Sequence, residues 1–294
     1  MSAAADTRLR KGAAGLDWLP VLAGLLVLYV PTFYDFASGL WQEEDHAHGP
    51  IILAIVLWLI WRKREAFFTT AWNSAPASGL GLLVFGLLLY VVGRSNAITI
   101  LESGSLMPVL AGTALAMRGW PLLRALWFPI FFVVFMVPLP GFFIDAVTGP
   151  LKQHVSEIAE QLLYAAGYPI ARSGVILTIG QYQLLVADAC SGLNSMFSLS
   201  ALGLLYMYLM RRTSLLHNGI MLLSILPIAF AANVVRVVTL MLITYYYGDE
   251  AGQGFLHGAA GILLLVVALI VFFSLDAVLA RLIKPRAAAA MRNE

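Results

Sequence analysis

The chain has 294 residues, of which 61% are hydrophobic and 12% charged, with a formal net charge of +2. That balance lies far from a soluble globular composition, and the near-neutral charge gives no electrostatic footprint for a nucleic-acid partner. The single cysteine, Cys190, excludes an internal disulfide, so helix packing must hold the fold together.

Residues 1–16 form a basic tail with Arg8, Arg10 and Lys11. The apolar run that follows, 18–36, lacks a small-residue cleavage site and runs into aromatics, so it reads as a retained first span, not a signal peptide. An acidic link follows, Trp41-Gln42-Glu43-Glu44-Asp45-His46-Ala47-His48-Gly49. The second run, 50–61, ends in Arg62-Lys63-Arg64, the strongest cytoplasmic signal in the chain. Runs 79–93 and 98–117 are the third and fourth spans, and the latter contains Glu102, a charge expected to be paired or functional. Arg118 and Arg124 bracket the turn into the fifth, 122–137. Alternating sides puts every one of these basic clusters in the cytoplasm, with only Arg94 outside.

From 138 to 189 hydropathy falls. Val147, Leu151, Val155, Ile158, Leu162 and Leu163 recur at helical spacing, which predicts an amphipathic helix lying on the outer membrane surface. Two short β-type runs around Gly180 then read as a hairpin that delivers the chain to Cys190. The sixth span, 191–210, ends at Arg211-Arg212. The run 215–247 is too long for one straight crossing and too short for two, which predicts one crossing bent near Pro227 and Asn233. The last, 257–275, leads to Arg281, Lys284 and Arg286. The expected fold is therefore an all-α polytopic membrane protein of about eight transmembrane helices. It is one integral-membrane domain over 1–294, with an outer-face segment at 138–189 (amphipathic helix and β-hairpin) before Cys190 and a cytoplasmic tail at 281–294.

This topology brings three polar residues, remote in sequence, to one membrane level. Cys190 opens span six at its outer end, Arg236 lies ~33 Å along span seven, and His257 opens span eight. A thiol becomes a nucleophile as thiolate, which a helix N-terminus, a cation or a histidine favours. Asp188 or Ser191 is placed to cap the helix at Cys190. His257 can take the thiol proton and return it to a leaving amine, and Arg236 can stabilise an oxyanion. Asn233, one turn before Arg236, shares its face. Each residue alone has a structural reading: a small core hydrophobe, a snorkelling cation, a helix-start histidine. Their shared depth favours catalysis. His46 and His48 with Glu43, Glu44 and Asp45 have the residue types of a metal site, but an acidic outer loop explains them, with His48 a supporting residue. No metal or cofactor is expected. The Gly79-Leu80-Gly81 stretch matches no phosphate-binding motif and reads as helix packing.

Ala189-Cys190-Ser191-Gly192-Leu193, Asn233-Val234-Val235-Arg236-Val237 and His257-Gly258-Ala259-Ala260-Gly261 resemble, in order and spacing, the three motifs of the exosortase/archaeosortase family. Trp41…His48-Gly49 and the following Trp61-Arg62-Lys63-Arg64 resemble that family's first outer loop and second span. The resemblance covers about 18–275. Histidine at 257 resembles the bacterial exosortase branch, and the compact length with Asp45-His46-Ala47-His48-Gly49-Pro50 the exosortase B subtype. It implies a cysteine transpeptidase of the bacterial inner membrane with its site on the periplasmic side. Its partners would be membrane-protein substrates ending in a Pro-Glu-Pro motif, a transmembrane helix and a basic end, and an acceptor linked to exopolysaccharide or envelope assembly. By resemblance Cys190 is the nucleophile, Arg236 the oxyanion or substrate group and His257 the acid/base.

Two rival classes compete on the residues. A small-solute transporter would use Glu102 and the bent seventh span, but no inverted repeat is evident. A non-catalytic polysaccharide-assembly scaffold would leave the alignment of Cys190, Arg236 and His257 without a reason. The topology itself is testable by cysteine accessibility in a Cys190→Ser background. Reporters at 62–64, 211–212 and 281–286 should be shielded from an impermeant outer reagent and a reporter near Glu157 labelled; shielding at Glu157 would overturn the eight-span arrangement.

Overall fold

The computed structural model describes residues 17–43, 46–69, 75–138, 141–185, 192–212, 214–248 and 255–283, with the side chains of 69, 141–145, 147–148, 192–196 and 255–265 outside the description. The chain divides into two compact units, Met1–Pro140 and Gly141–Glu294.

The first unit contains α1 (Leu19–Ser38), α2 (Gly49–Arg62), the short α3 (Ala66–Thr69), α4 (Pro76–Ser95), α5 (Thr99–Gly104), α6 (Leu106–Arg118) and α7 (Trp120–Phe132), with 3-10 turns at Leu40–Gln42 and Val133–Met136. The run read as the fourth span is one membrane-length stretch, Thr99–Arg118, built from two helices that meet at Ser105. The Ser105 hydroxyl bonds the Glu102 carbonyl (2.6 Å) and pairs with the Tyr29 hydroxyl (2.8 Å). Helices α4 and α6 approach until only glycine fits between them. A Cβ at Gly86 would lie 2.7 Å from Val109 Cγ2 and one at Gly112 would lie 2.5 Å from the Leu83 backbone nitrogen, while one at Gly93, further along α4, would collide with the backbone of Glu102 on α5. Gly79, Gly86 and Gly93 recur every seven residues, two turns apart, so they form one face, the small-residue packing that close helices in lipid require.

The second unit opens with α8 (Gly141–Ala165), then three short strands, β1 (Ile170–Ser173), β2 (Ile176–Ile179) and β3 (Tyr182–Leu185), then α9 (Gly192–Met210), α10 (Leu215–Tyr247) and α11 (Phe255–Leu282). The amphipathic helix read at 147–163 is present within α8. Its Val155, Ala159 and Leu163, four residues apart, are buried with Leu177, Ile179 and Leu184 of the sheet and Val234, Val237, Leu240 and Met241 of α10. The hairpin around Gly180 is also present, β2 pairing β3 antiparallel, but a third strand, β1, pairs β2 and completes a sheet of order β1-β2-β3. Ile170-Ala171-Arg172-Ser173 has no apolar alternation, so β1 follows from pairing and not from pattern. Glycines at the first position of both turns, Gly174 and Gly180, adopt φ of 63° and 58°, the conformation two-residue hairpins ask of that position.

Among the described residues, four helical segments are long and apolar enough to cross a bilayer alone: Leu19–Gln42, Pro76–Ser95, Thr99–Arg118 and Leu215–Tyr247. The sequence reading counts eight. The difference arises partly because Gly49–Arg62, Trp120–Met136 and Phe197–Met210 are apolar but fall within 10–17 residues among the described positions, below the ~20 that ~30 Å of hydrocarbon asks for. Helix α10 continues as one helix of 33 residues through Pro227.

The glycine interface predicts a contrast between neighbouring positions. Gly86→Ala must push α4 from α6, and Gly93→Ala must push α4 from α5; each should lower stability by ~1–3 kcal/mol. At Gly81 a Cβ would meet nothing within 4 Å, so alanine there should bring no loss and a gain of up to ~1 kcal/mol. Thermal unfolding of the purified protein in detergent measures both; equal effects at 81 and 93 would contradict the interface.

Candidate active site

Helix α10 has one continuous buried face. His217, Met221, Ile225, Ala229, Asn233, Arg236, Leu240 and Thr244 follow one another every three or four residues, the repeat that keeps one side of a helix against its neighbours. Polar groups occupy this face at two levels. Near the basic end, Asp276 of α11 is 4% exposed and accepts three hydrogen bonds: from Tyr206 OH of α9 (2.8 Å), from the Arg212 guanidinium (2.8 Å), and from His217 Nε2 of α10 (2.7 Å). Four residues above it, Phe272 packs with Met221 and Ile225. Above that, Leu199, Ala229 and Ala268 form a layer to which α9, α10 and α11 each contribute one residue.

The second polar level follows from this register. Seven residues, or ~10 Å of helical rise, from that layer toward the end away from Arg211 and Arg212 lead to Gly192 on α9, Arg236 on α10 and Gly261 on α11. Three helices thus bring the stretch after Cys190, Arg236 and the His257-to-Gly261 segment to a common height. His257 is the third residue of α11, one turn beyond Gly261.

Arg236 and Asn233 are buried, 5% and 4% exposed, one turn apart on the same face. The neighbouring Val234 and Val237 carry α10 against α8 and the sheet, so α8 and the sheet pack around the stretch of α10 that holds both residues. A guanidinium in such surroundings needs polar company and keeps its charge at any relevant pH. Cys190, Asp188 and Ser191 lie outside the described residues, as does the side chain of His257. His48 belongs to the first unit, where its Nε2 meets the Phe135 carbonyl (3.1 Å) and ties the start of α2 to the turn at Val133–Met136. The adjoining Gly49 lies under the Trp41 indole, which leaves no room for a Cβ.

Glu102 also acquires partners. The Arg94 guanidinium bridges Glu102 (2.9 Å) and Asp35 (2.6 Å), and the Thr32 hydroxyl donates to Glu102 at 2.6 Å, so the carboxylate fastens α1 and α4 within the first unit. The Asp276 cluster has no counterpart in the sequence reading. Asp276 stands one residue past the last expected span, and Arg212 serves there only as a topology marker. The signal that could have revealed the cluster is an aspartate and a histidine within apolar runs, each at the basic end of its helix.

Among proteins already classified, the family model described as transmembrane exosortase matches residues 40–274. No curated protein and no solved structure matches the chain.

Removing a buried partner is costly because it strands the others. Asp276→Ala should lower stability by ~3–5 kcal/mol, whereas Arg212→Ala, whose side chain is 40% exposed, should cost only ~1 kcal/mol. Thermal unfolding in detergent distinguishes them; an Asp276→Ala protein as stable as the wild type would remove Asp276 from the framework.

Proposed function

The chain belongs to the transmembrane exosortase family, and from that premise we propose that it is a membrane-embedded cysteine peptidase and transpeptidase of the bacterial inner membrane. In this reading it acts on exported membrane proteins with a C-terminal sorting signal of the Pro-Glu-Pro type, with its site at the periplasmic side. The family is generally one of cysteine peptidases and transpeptidases. The acidic Asp45-to-Pro50 loop supports the B subtype within it.

The observation that carries the reading is the layer of Leu199, Ala229 and Ala268 on three packed helices: seven residues of helical rise from it lead to Gly192, Arg236 and Gly261, and Cys190 lies two residues before the first and His257 four before the last. His257 takes the proton of the Cys190 thiol, and the thiolate sulfur attacks the carbonyl carbon of the scissile peptide bond. Arg236 stabilises the oxyanion of the tetrahedral intermediate. The C–N bond breaks, and the leaving amine takes the proton from the His257 imidazolium, leaving a thioester on Cys190. An acceptor amine or water gives a proton to His257 and attacks the thioester carbonyl; the C–S bond breaks, the proton on His257 returns to the sulfur, and the acyl group leaves bonded to the acceptor. Asn233, a turn from Arg236 on the same buried face, orients the guanidinium or the substrate. Asp188 and Ser191, beside Cys190 in sequence, support the thiolate through the start of α9.

Two measurements test this. Cys190→Ala should abolish processing of a co-expressed sorting-signal protein. Wild type should accumulate a substrate-linked species that survives denaturation and disappears with hydroxylamine, as a thioester does. Arg236→Lys keeps the charge but loses the planar donor fork, so processing should fall at least ~10-fold. Processing by Cys190→Ala at the wild-type rate would end the nucleophile assignment, and near-normal processing by Arg236→Lys would leave Arg236 an interfacial anchor.

A further inference from the structure

The sheet of the second unit has two outer edges, and they differ. Strand β1 is guarded in the ways natural edges usually are. Pro169 precedes it, the Ile170 amide bonds the Tyr168 carbonyl (2.9 Å), and Arg172 places a charge on the edge, held by Glu160 (2.9 Å) and the Gly174 carbonyl (3.2 Å). Strand β3, Tyr182-Gln183-Leu184-Leu185, has no charge and no proline, and its register against β2 runs without a bulge.

The register fixes which backbone groups of β3 face outward. Gly180 and Gln181 form a two-residue turn, so Ile179 and Tyr182 exchange hydrogen bonds across it, and so do Leu177 and Leu184 two residues on. The N–H and C=O groups of Gln183 and Leu185 therefore point away from β2. Both residues are exposed, and among the described residues no backbone bond reaches either from the outer side. Leu184, by contrast, is buried with Leu177 and Ile179 against α8 and α10, so the strand is anchored while its edge, among the described residues, stays open. Leu185 is five residues before Cys190, within ~18 Å of fully extended chain.

We propose that the edge of β3 is the substrate-binding edge of the enzyme: an extended segment of the membrane-protein substrate, next to the bond to be cut, adds to it as a fourth strand. This rests on the reading of Cys190 as nucleophile and goes beyond it by naming where the substrate backbone is held. Strand addition draws affinity from main-chain hydrogen bonds and leaves side-chain choice to alternate positions. A thiolate needs its target carbonyl outside a helix, and a substrate segment unwound at the membrane surface gives up its helical hydrogen bonds. The amides and carbonyls of Gln183 and Leu185 replace up to four of them. The uncharged edge also accepts an acidic residue in the substrate without repulsion.

The test uses full-length Cys190→Ala protein in detergent and a short fluorescein-labelled peptide carrying a Pro-Glu-Pro motif and its flanks, read by anisotropy, so that no turnover is required. N-methylation of single peptide amides should weaken binding at least ~10-fold at alternate positions and little between them, the period of a strand. On the enzyme, Leu185→Pro deletes one outward N–H and leaves the ladder to β2 intact. It should raise the dissociation constant at least ~10-fold against Leu185→Ala, and in the background with Cys190 it should leave the rate of Cys190 alkylation by iodoacetamide unchanged. An even N-methyl profile, absence of peptide binding, or equal affinity of Leu185→Pro and Leu185→Ala would overturn the proposal, as would protein whose β3 edge is consumed by concentration-dependent self-association. Processing by Cys190→Ala would instead overturn the nucleophile reading, while a period-two binding profile would still identify the edge.

Discussion

One carboxylate sets the arrangement of the second unit. In hydrocarbon an ionised group is tolerated only when its partners come with it, and Asp276 collects a hydroxyl from α9, the guanidinium of Arg212 just beyond α9, and an imidazole from α10. Hydrophobic contact between helices in lipid is nearly indifferent to axial sliding, because lipid tails are as apolar as leucine. Three directed bonds of 2.7–2.8 Å to one side chain are not indifferent. With the basic ends pinned, the apolar layers at Phe272 and Ala268 follow in register, and the height at which Arg236 meets its neighbours is set from His217, ~28 Å away along α10. A site assembled from three helices needs such a fixed point, since a slip of one residue would move a catalytic group by ~1.5 Å.

The first unit solves the same problem differently. Glu102 is paired with Arg94 and Thr32, and Tyr29 and Tyr90 add bonds to Ser105 and the Leu28 carbonyl, so α1 is fastened along its second half by polar contacts. Helices α4 and α6 instead meet through glycines and lie so close that backbone touches backbone. Directed polar bonds and steric fit are the two means of specificity available in a medium that gives no hydrophobic drive to helix association.

Much of this was legible from residues alone, and what was missed has a common cause. Long apolar runs and basic links gave some helices to within three residues at either end, 79–93 against Pro76–Ser95 and 191–210 against Gly192–Met210, and others less closely, 257–275 against Phe255–Leu282. The helical spacing of Val147, Leu151, Val155, Ile158, Leu162 and Leu163 gave α8 because a half-buried helix must write its period into the sequence. Helix periodicity is local, whereas pairing is not. Glu102 was marked as needing a partner, but Arg94 and Thr32 reach it through the fold, and no spacing rule names them. Strand β1 has no pattern of its own and exists because β2 offers an edge. Fully apolar runs also hide where a helix breaks, which is why Ser105, a hydroxyl that satisfies a carbonyl in place of the backbone, divides what reads as one span. At the site, Arg236 and Asn233 were visible because charged and amide groups are rare in such a run, and Asp276 was overlooked because it falls just where apolar sequence gives way to the basic tail.

The placement of a small sheet beside a membrane-buried arginine has a physical logic of its own. A transmembrane substrate arrives as a helix whose peptide groups are already bonded to one another, and a helical carbonyl is shielded from in-line attack by the turns above and below it. Exposing the scissile bond means breaking several backbone hydrogen bonds where little water is present to replace them, at a cost of several kcal/mol if they stay unmade. A soluble peptidase can rely on water to solvate an extended substrate, but an enzyme at the bilayer surface has to supply those donors and acceptors itself. A strand edge is the most direct source, because it offers N–H and C=O groups in alternation and needs no side chains to do so. A sheet with an open edge is in turn an aggregation risk in a soluble protein. Here the sheet is anchored on α8 and on the Val234-to-Met241 stretch of α10, so one face of β3 is packed while, among the described residues, its edge has no backbone partner.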